Sequence, residues 1–332
     1  MKDNFKVRVF ITGVYRSGTT LVSRMLANHP KLWVTYDSVH FMRFSYGRYD
    51  PIYEIKNAER LVTETHARIY NRWGMRFVAD DVISDLRNFK KIDYNHIYDL
   101  IMEALISEYK KGVIGWGEKT NVCWGQIPNF LKMFPSGKTI HVIRDPRDVM
   151  CSYREMTYEP DFSYLDSAFC SLNSFLKASE YNQRFKNQNY YLLKYENLVQ
   201  NPIEVIRNIC SFLDLKFDPL MLDAAKFKDK SGNQWDGESS FDKKLDTISK
   251  KPIGRWKKKA TPFEVFFVEL INSEVMKKFG YELSGKSISK TVRINLRNIL
   301  DNNKLLSQHY RLWMKTGEGV EAYPSDPLSK QK

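Results

Sequence analysis

Five short apolar runs punctuate the chain, each followed by a turn or by a helical pattern. The first, Val7 to Thr12, is rich in β-branched residues and interrupted only by Arg8, as expected of a strand buried on both faces. It breaks at Gly13 and Gly18. Apolar residues then recur at Leu21, Val22, Met25 and Leu26, predicting a helix from about Thr19 to Asn28 that His29-Pro30 ends. Further strands are expected over Leu32 to Thr35, Val113 to Trp116, Thr139 to Ile143 and Tyr190 to Lys194. Between and after them, helical patterns run from Tyr94 to Lys110, through 163 to 186, and from Pro202 to Leu213 and Pro262 to Phe279.

This alternation predicts an α/β fold, a P-loop-like doubly wound parallel sheet of about five strands flanked by helices. One domain over 1–283 accommodates it, with a helical insertion at 41–112 on the possible acceptor side. Residues 228–251, dense in Lys, Asp, Ser and Gly, read as a mobile loop. Residues 284–332 form a basic C-terminal extension with one expected helix, Val292 to Leu306, and a polar end that reads as disordered.

Composition narrows the partner. The 332 residues carry a net charge of +13, which points to an anionic ligand: a nucleotide, a sulfated or phosphorylated polymer, nucleic acid or a membrane surface. Cys123, Cys151, Cys170 and Cys210 lack the spacing of a metal site or a disulfide framework, and fit a reducing compartment. Met1-Lys2-Asp3-Asn4 leads straight into the first strand, and no apolar run approaches the roughly 18 residues of a membrane span. A cytoplasmic protein is expected.

The loop between Gly13 and Gly18 has the spacing of a P-loop, but Thr19 stands where the phosphate-binding lysine belongs. A strand, a Gly-bracketed loop and a helix still aim backbone N–H groups at an anion. Without that lysine, and with Arg16 in the loop, the anion is not expected to be a triphosphate tail.

Tyr15-Arg16-Ser17-Gly18-Thr19-Thr20-Leu21 resembles the 5′-phosphosulfate loop of sulfotransferases that use 3′-phosphoadenosine 5′-phosphosulfate (PAPS). Arg144-Asp145-Pro146-Arg147-Asp148-Val149-Met150-Cys151-Ser152 is similar to their 3′-phosphate motif, an arginine after a strand and a serine eight residues on. Gly117-Glu118-Lys119-Thr120, Lys194-Tyr195-Glu196-Asn197-Leu198 and Gly254-Arg255-Trp256-Lys257 follow in the family's order, so the resemblance covers roughly 7–281. It implies PAPS as donor, 3′-phosphoadenosine 5′-phosphate (PAP) as product and no metal. Arg16, Ser17, Gly18, Thr19, Thr20 and Leu21 would hold the 5′ end, and Arg144 with Ser152 the 3′-phosphate. Gly254, Arg255, Trp256 and Lys257 would close over that phosphate, and Tyr195 would meet the adenine.

Transfer to a hydroxyl also needs a base and cations for the moving charge. The tyrosylprotein branch carries a glutamate 21 residues after the loop arginine, and here that position is Asp37. A carboxyl there serves as base if burial raises its pKa, or else it orients the hydroxyl. His40 is the rival, but the family's histidine follows a K-T-x element, and Lys119-Thr120 is followed by Asn121-Val122. Asp37 is therefore favoured. Lys119 and Arg16 are the candidates for stabilising the sulfuryl and bridging oxygens; Glu118 reads as a structural contact.

The expected activity is sulfuryl transfer to an acceptor hydroxyl, with a glycan or other hydroxyl compound slightly favoured because aromatics stack on sugar faces. Nucleic acid is not expected as a partner. A P-loop kinase would read Asp145 as a magnesium ligand. A non-enzymatic polyanion-binding module would draw on the charge and the aromatic insertion, and would leave the Gly-rich loop unexplained.

Overall fold

The computed structural model describes residues 5–155, 162–185, 188–228, 248–285 and 290–322. Its centre is a parallel sheet of β1 Val7–Gly13, β2 Leu32–Tyr36, β3 Gly115–Lys119, β4 Lys138–Ile143 and β5 Tyr190–Lys194. The strand order is β2-β3-β1-β4-β5. Chain connections leave β1 and β4 towards opposite edges, so a crevice opens between their carboxyl ends, where open α/β sheets bind ligands.

One expected strand is displaced. The apolar pattern ends β3 at Trp116, yet the strand runs on through Gly117, Glu118 and Lys119. Its glycines mark close approach rather than a break. A Cβ on Gly115 would lie 2.4 Å from the Val7 carbonyl oxygen, and one on Gly117 would lie 3.2 Å from Val34 Cγ2. The shift puts Lys119 opposite Tyr36 at the carboxyl edge.

Side chains alternate across β1, so the two faces of the sheet have different covers. Phe10 faces a core shared with Trp116, Phe130 and the insertion helices Ile55–Trp73, Ala79–Leu86 and Tyr94–Tyr109. There Phe41 and Tyr98 stack at 4.1 Å between ring centroids. Val9 and Ile11 face the opposite core, with Leu21, Val22 and Met25 of helix Thr19–Ala27 and Ile206 and Ile209 of helix Pro202–Phe212. Beside β4 and β5, the helices Ser167–Arg184 and Pro262–Lys278 build a third core around Phe169, Phe267 and Trp256. Most aromatic residues of the insertion thus belong to a helical layer.

The C-terminal extension differs from its expectation. It holds two helices, Lys290–Asn302 and Lys304–Thr316, because Asn303 interrupts the first and caps the second by accepting from Leu306 N at 2.9 Å. Leu306 is buried in the third core. Beyond it, Val320 N donates to the Phe169 carbonyl at 3.2 Å and Gly125 N donates to Glu321. Residues 317–322 are therefore packed on the domain, while 323–332 and residues 229–247 of the expected loop lie outside the described residues. Among the described residues, no helix is long and apolar enough to cross a membrane.

Candidate active site

The loop after β1 is shaped by two left-handed residues, Arg16 at φ 69° and Gly18 at φ 102°. Gly18 caps helix Thr19–Ala27, whose first backbone N–H groups lack intrahelical partners. A Cβ on Gly18 would lie 2.3 Å from Tyr195 Cδ2, so only glycine fits beneath that ring. The Thr19 hydroxyl donates to Asn121 Oδ1 at 2.6 Å; Thr20 is half-buried, and its hydroxyl has no such partner among the described residues. Ser17 Oγ is buried without a hydrogen-bond partner among the described residues. Leu21 belongs to the core, so only its backbone can serve a ligand.

The second motif meets this loop directly. Pro146 and the Asp145 side chain, which accepts from Arg147 N at 2.9 Å, start helix Pro146–Arg154 just past β4. Arg144 donates to the Arg16 carbonyl and to the Pro252 carbonyl, both at 2.8 Å, tying the strand end to both loops. Ser152 is reached by Arg16, whose Nε donates to its Oγ at 2.9 Å, and not by Arg144. The two expected phosphate motifs therefore share one corner. Burial, then the charges of Arg144 and Arg255, push Arg16 down to about 10. Arg144 Nε and Arg255 Nε are buried and have no hydrogen-bond partner among the described residues.

Several expected ligands have structural duties here. Tyr195 is buried, with its ring over the Arg144 guanidinium at 4.3 Å and against Gly18, so it packs on both motifs at their shared corner. The N–H groups of Gly254 and Trp256 donate to Asp148. The Trp256 ring packs on Arg147 at 3.8 Å, and Lys257 lines a cleft with Asp145, Arg147 and Tyr281. In this loop, Arg255 is the side chain that joins the Arg16–Arg144 corner, and its NH1 pairs with Glu155 at 3.2 Å.

Across the crevice, Asp37 follows β2 in a left-handed turn at φ 54°. Its carboxylate pairs with the buried Lys119 ammonium, and Asn121 Nδ2 lies 3.4 Å from its other oxygen. Burial raises the Asp37 pKa, but the charge and hydrogen bond of Lys119, with the Arg72 charge, outweigh it and hold the carboxyl below its ordinary value. The net direction is opposite to a burial-raised base. The insertion contributes Trp73, whose indole donates to the Asp37 carbonyl at 2.5 Å, and Arg72, which stacks on that indole at 4.9 Å. The composition of 41–112 flags these two only as members of an aromatic, basic segment.

His40 is fully buried against Phe44, and burial pushes it down to about 3, so it is a neutral core side chain. Glu118 is also buried; burial raises its pKa, and it accepts from Tyr98, from Thr120 Oγ1 at 3.0 Å and from Phe41 N at 3.4 Å. It braces the segment after Asp37.

A doubly wound parallel sheet with a Gly-bracketed loop, a guanidinium corner and a Lys–Asp pair along one edge has the P-loop-like architecture. Residues 8–219 match the sulfotransferase family, and the chain belongs to that family. A putative protein-tyrosine sulfotransferase of Caenorhabditis briggsae is 23% identical over 265 residues, covering 77% of this chain and 82% of that protein. The sulfotransferase domain of the Synechococcus PCC 7002 olefin synthase superposes with a TM-score of 0.58 at 19% identity, covering 85% of this chain and 98% of the domain. The sulfotransferase domain from the curacin biosynthetic pathway gives 0.53 at 21% identity, covering 83% and 98%. The chain is thus a sulfotransferase, and these matches do not favour the kinase or the polyanion-binding module.

Proposed function

We propose that the chain transfers a sulfuryl group from PAPS to an acceptor hydroxyl. The observation that carries this reading is the convergence of Arg16, Arg144 and Arg255, with Arg144 Nε and Arg255 Nε buried and without a hydrogen-bond partner among the described residues. Like charges held together at that cost suit a ligand with separate phosphates. Arg16, Ser17, Thr20 and the helix N-terminus would hold the 5′ end; Arg144, Arg255 and Ser152 the 3′-phosphate. Tyr195 would present its edge to the adenine.

In the transfer, the acceptor oxygen bonds to sulfur while the bond from sulfur to the 5′-phosphate oxygen breaks, PAP leaves with that electron pair, and the hydroxyl proton passes to a carboxylate or water. Asp37, ionised by its neighbours, orients the hydroxyl by accepting its hydrogen bond. Lys119 supplies the positive charge beside the moving group, and Arg16 supplies it on the loop side. The acceptor is a hydroxyl, of a glycan or other hydroxyl compound; the name of the Caenorhabditis briggsae relative adds a protein tyrosine. Residues 1–283 are proposed as the catalytic unit. The four buried cysteine thiols support a cytoplasmic setting.

Calorimetry of PAP against ADP and ATP, with and without magnesium, tests the donor. A metal-independent preference for PAP is expected. A magnesium-dependent preference for ATP would overturn the reading.

A further inference from the structure

Asp148 is a buried carboxylate, 1% exposed, that the transfer chemistry above does not use. It lies on helix Pro146–Arg154 between the two expected 3′-phosphate ligands, Arg144 and Ser152. Its Oδ2 accepts from Gly254 N at 2.7 Å and its Oδ1 from Trp256 N at 3.0 Å. One carboxylate thus grips the two residues that flank Arg255. Gly254, left-handed at φ 67°, supplies the turn that brings both N–H groups to one side.

The preceding residue grips the same loop by other means. The Arg147 guanidinium lies 3.8 Å from the Trp256 ring centroid. It is held in turn by both oxygens of Asp145, at 3.0 and 2.7 Å, and by Glu269 at 2.7 Å. Among the described residues, Asp148 has no cation within ion-pair distance, so its hydrogen bonds serve only this loop. Burial pushes its carboxyl up to about 6, with Arg144 acting against that and Asp145 adding to it. A buried carboxylate is costly where it gains no ion pair. This one stands where the direction of a single arginine is decided.

We propose that Asp148 is the positioning residue for cofactor recognition: by holding Gly254 and Trp256 it aims Arg255 at the 3′-phosphate. The inference rests on the donor reading above and adds a residue that acts on the cofactor only through another. Discrimination between nucleotides with and without a 3′-phosphate then depends on Asp148 although its oxygens face the loop. Asparagine puts an amide NH2, which only donates, where one of the two carboxylate oxygens accepts, so one backbone N–H faces another donor and one flank of Arg255 is released.

The test is calorimetric binding of PAP and of adenosine 5′-phosphate to wild type, Asp148→Asn, Asp148→Ala, Arg255→Ala and the Asp148→Ala/Arg255→Ala double variant. Asp148→Asn is expected to weaken PAP binding about tenfold while adenosine 5′-phosphate stays within about twofold. The double variant should bind PAP no worse than Arg255→Ala, because the two losses share one contact. Equal losses for both nucleotides, wild-type PAP affinity in Asp148→Asn, or fully additive losses would each overturn the proposal. Should Asp148→Ala not fold, Gly254→Ala strains the same left-handed turn from the loop side, its Cβ meeting nothing within 4 Å, and the same selective loss is required. Wild type that shows no preference for PAP removes the donor reading, and the positioning role with it.

Discussion

The Tyr195 ring rests against Gly18 so closely that a single added carbon would lie 2.3 Å from it, and its face covers the Arg144 guanidinium at 4.3 Å. One tyrosine therefore packs on both the anion loop and the second arginine motif.

Gly18→Ala is expected to damage both stability and binding. The new Cβ meets Tyr195, and φ 102° is unfavourable for any residue with a side chain. A cost of about 2–4 kcal/mol combines the strain with overpacking. Thermal denaturation and PAP titration should both show the loss; an unchanged melting temperature would contradict the contact.

Lys119→Ala should lower kcat roughly a hundredfold while leaving PAP affinity within about threefold, since the ammonium pairs directly with the Asp37 carboxylate and is the proposed charge beside the moving group. The pH profile gives a second check. In the wild type, Asp37 is held below its ordinary value and stays ionised throughout the neutral range. Without Lys119 the charge and hydrogen bond that hold the carboxyl down are gone and burial gains weight, so the acid limb of the profile should move to higher pH. A profile identical to wild type would remove the Lys119–Asp37 coupling.

Acid stability should report the buried histidines. His141 is fully buried, within 2.8 Å of the Tyr190 hydroxyl through Nδ1 and of Ser174 Oγ through Nε2. Burial pushes it down to about 3, as it does His40. The unfolded chain takes up protons that the folded chain refuses, so this stability is complete above about pH 6.5 and is lost as pH falls towards 3. His141→Gln should flatten the decline of unfolding free energy below pH 6.5 by about 1.4 kcal/mol per pH unit. An unaltered slope in denaturant titrations would count against it.

Leu306→Ala should cost about 2–4 kcal/mol in chemical denaturation, although the residue lies beyond the stretch that matches the family. A surface-like change below about 0.5 kcal/mol would mean that the C-terminal helices do not complete the third core.

Sequence by itself determined the five strands, their parallel order of connection and the loop at Gly13–Gly18. Those signals are local: continuous β-branched runs, glycine punctuation and helical spacing need no knowledge of distant residues. It also placed Arg16, Arg144, Asp37 and Lys119 at strand ends, where an open sheet gathers side chains, and Arg255 on a loop after residue 250. Only the tertiary structure decided how those side chains share the work. The union of Arg16 with Ser152, the packing of Tyr195 and the grip of Asp148 on residues 254 and 256 join segments far apart in the chain. The same holds for His40, whose polarity suggests a base and whose full burial makes it core. Glycine 117 looks like a strand end until the neighbouring strand shows that a side chain there would crowd Val34, as one at glycine 115 would collide with Val7. Burial and pairing set the charge state of a titratable group, and both are properties of the packed chain rather than of residue order.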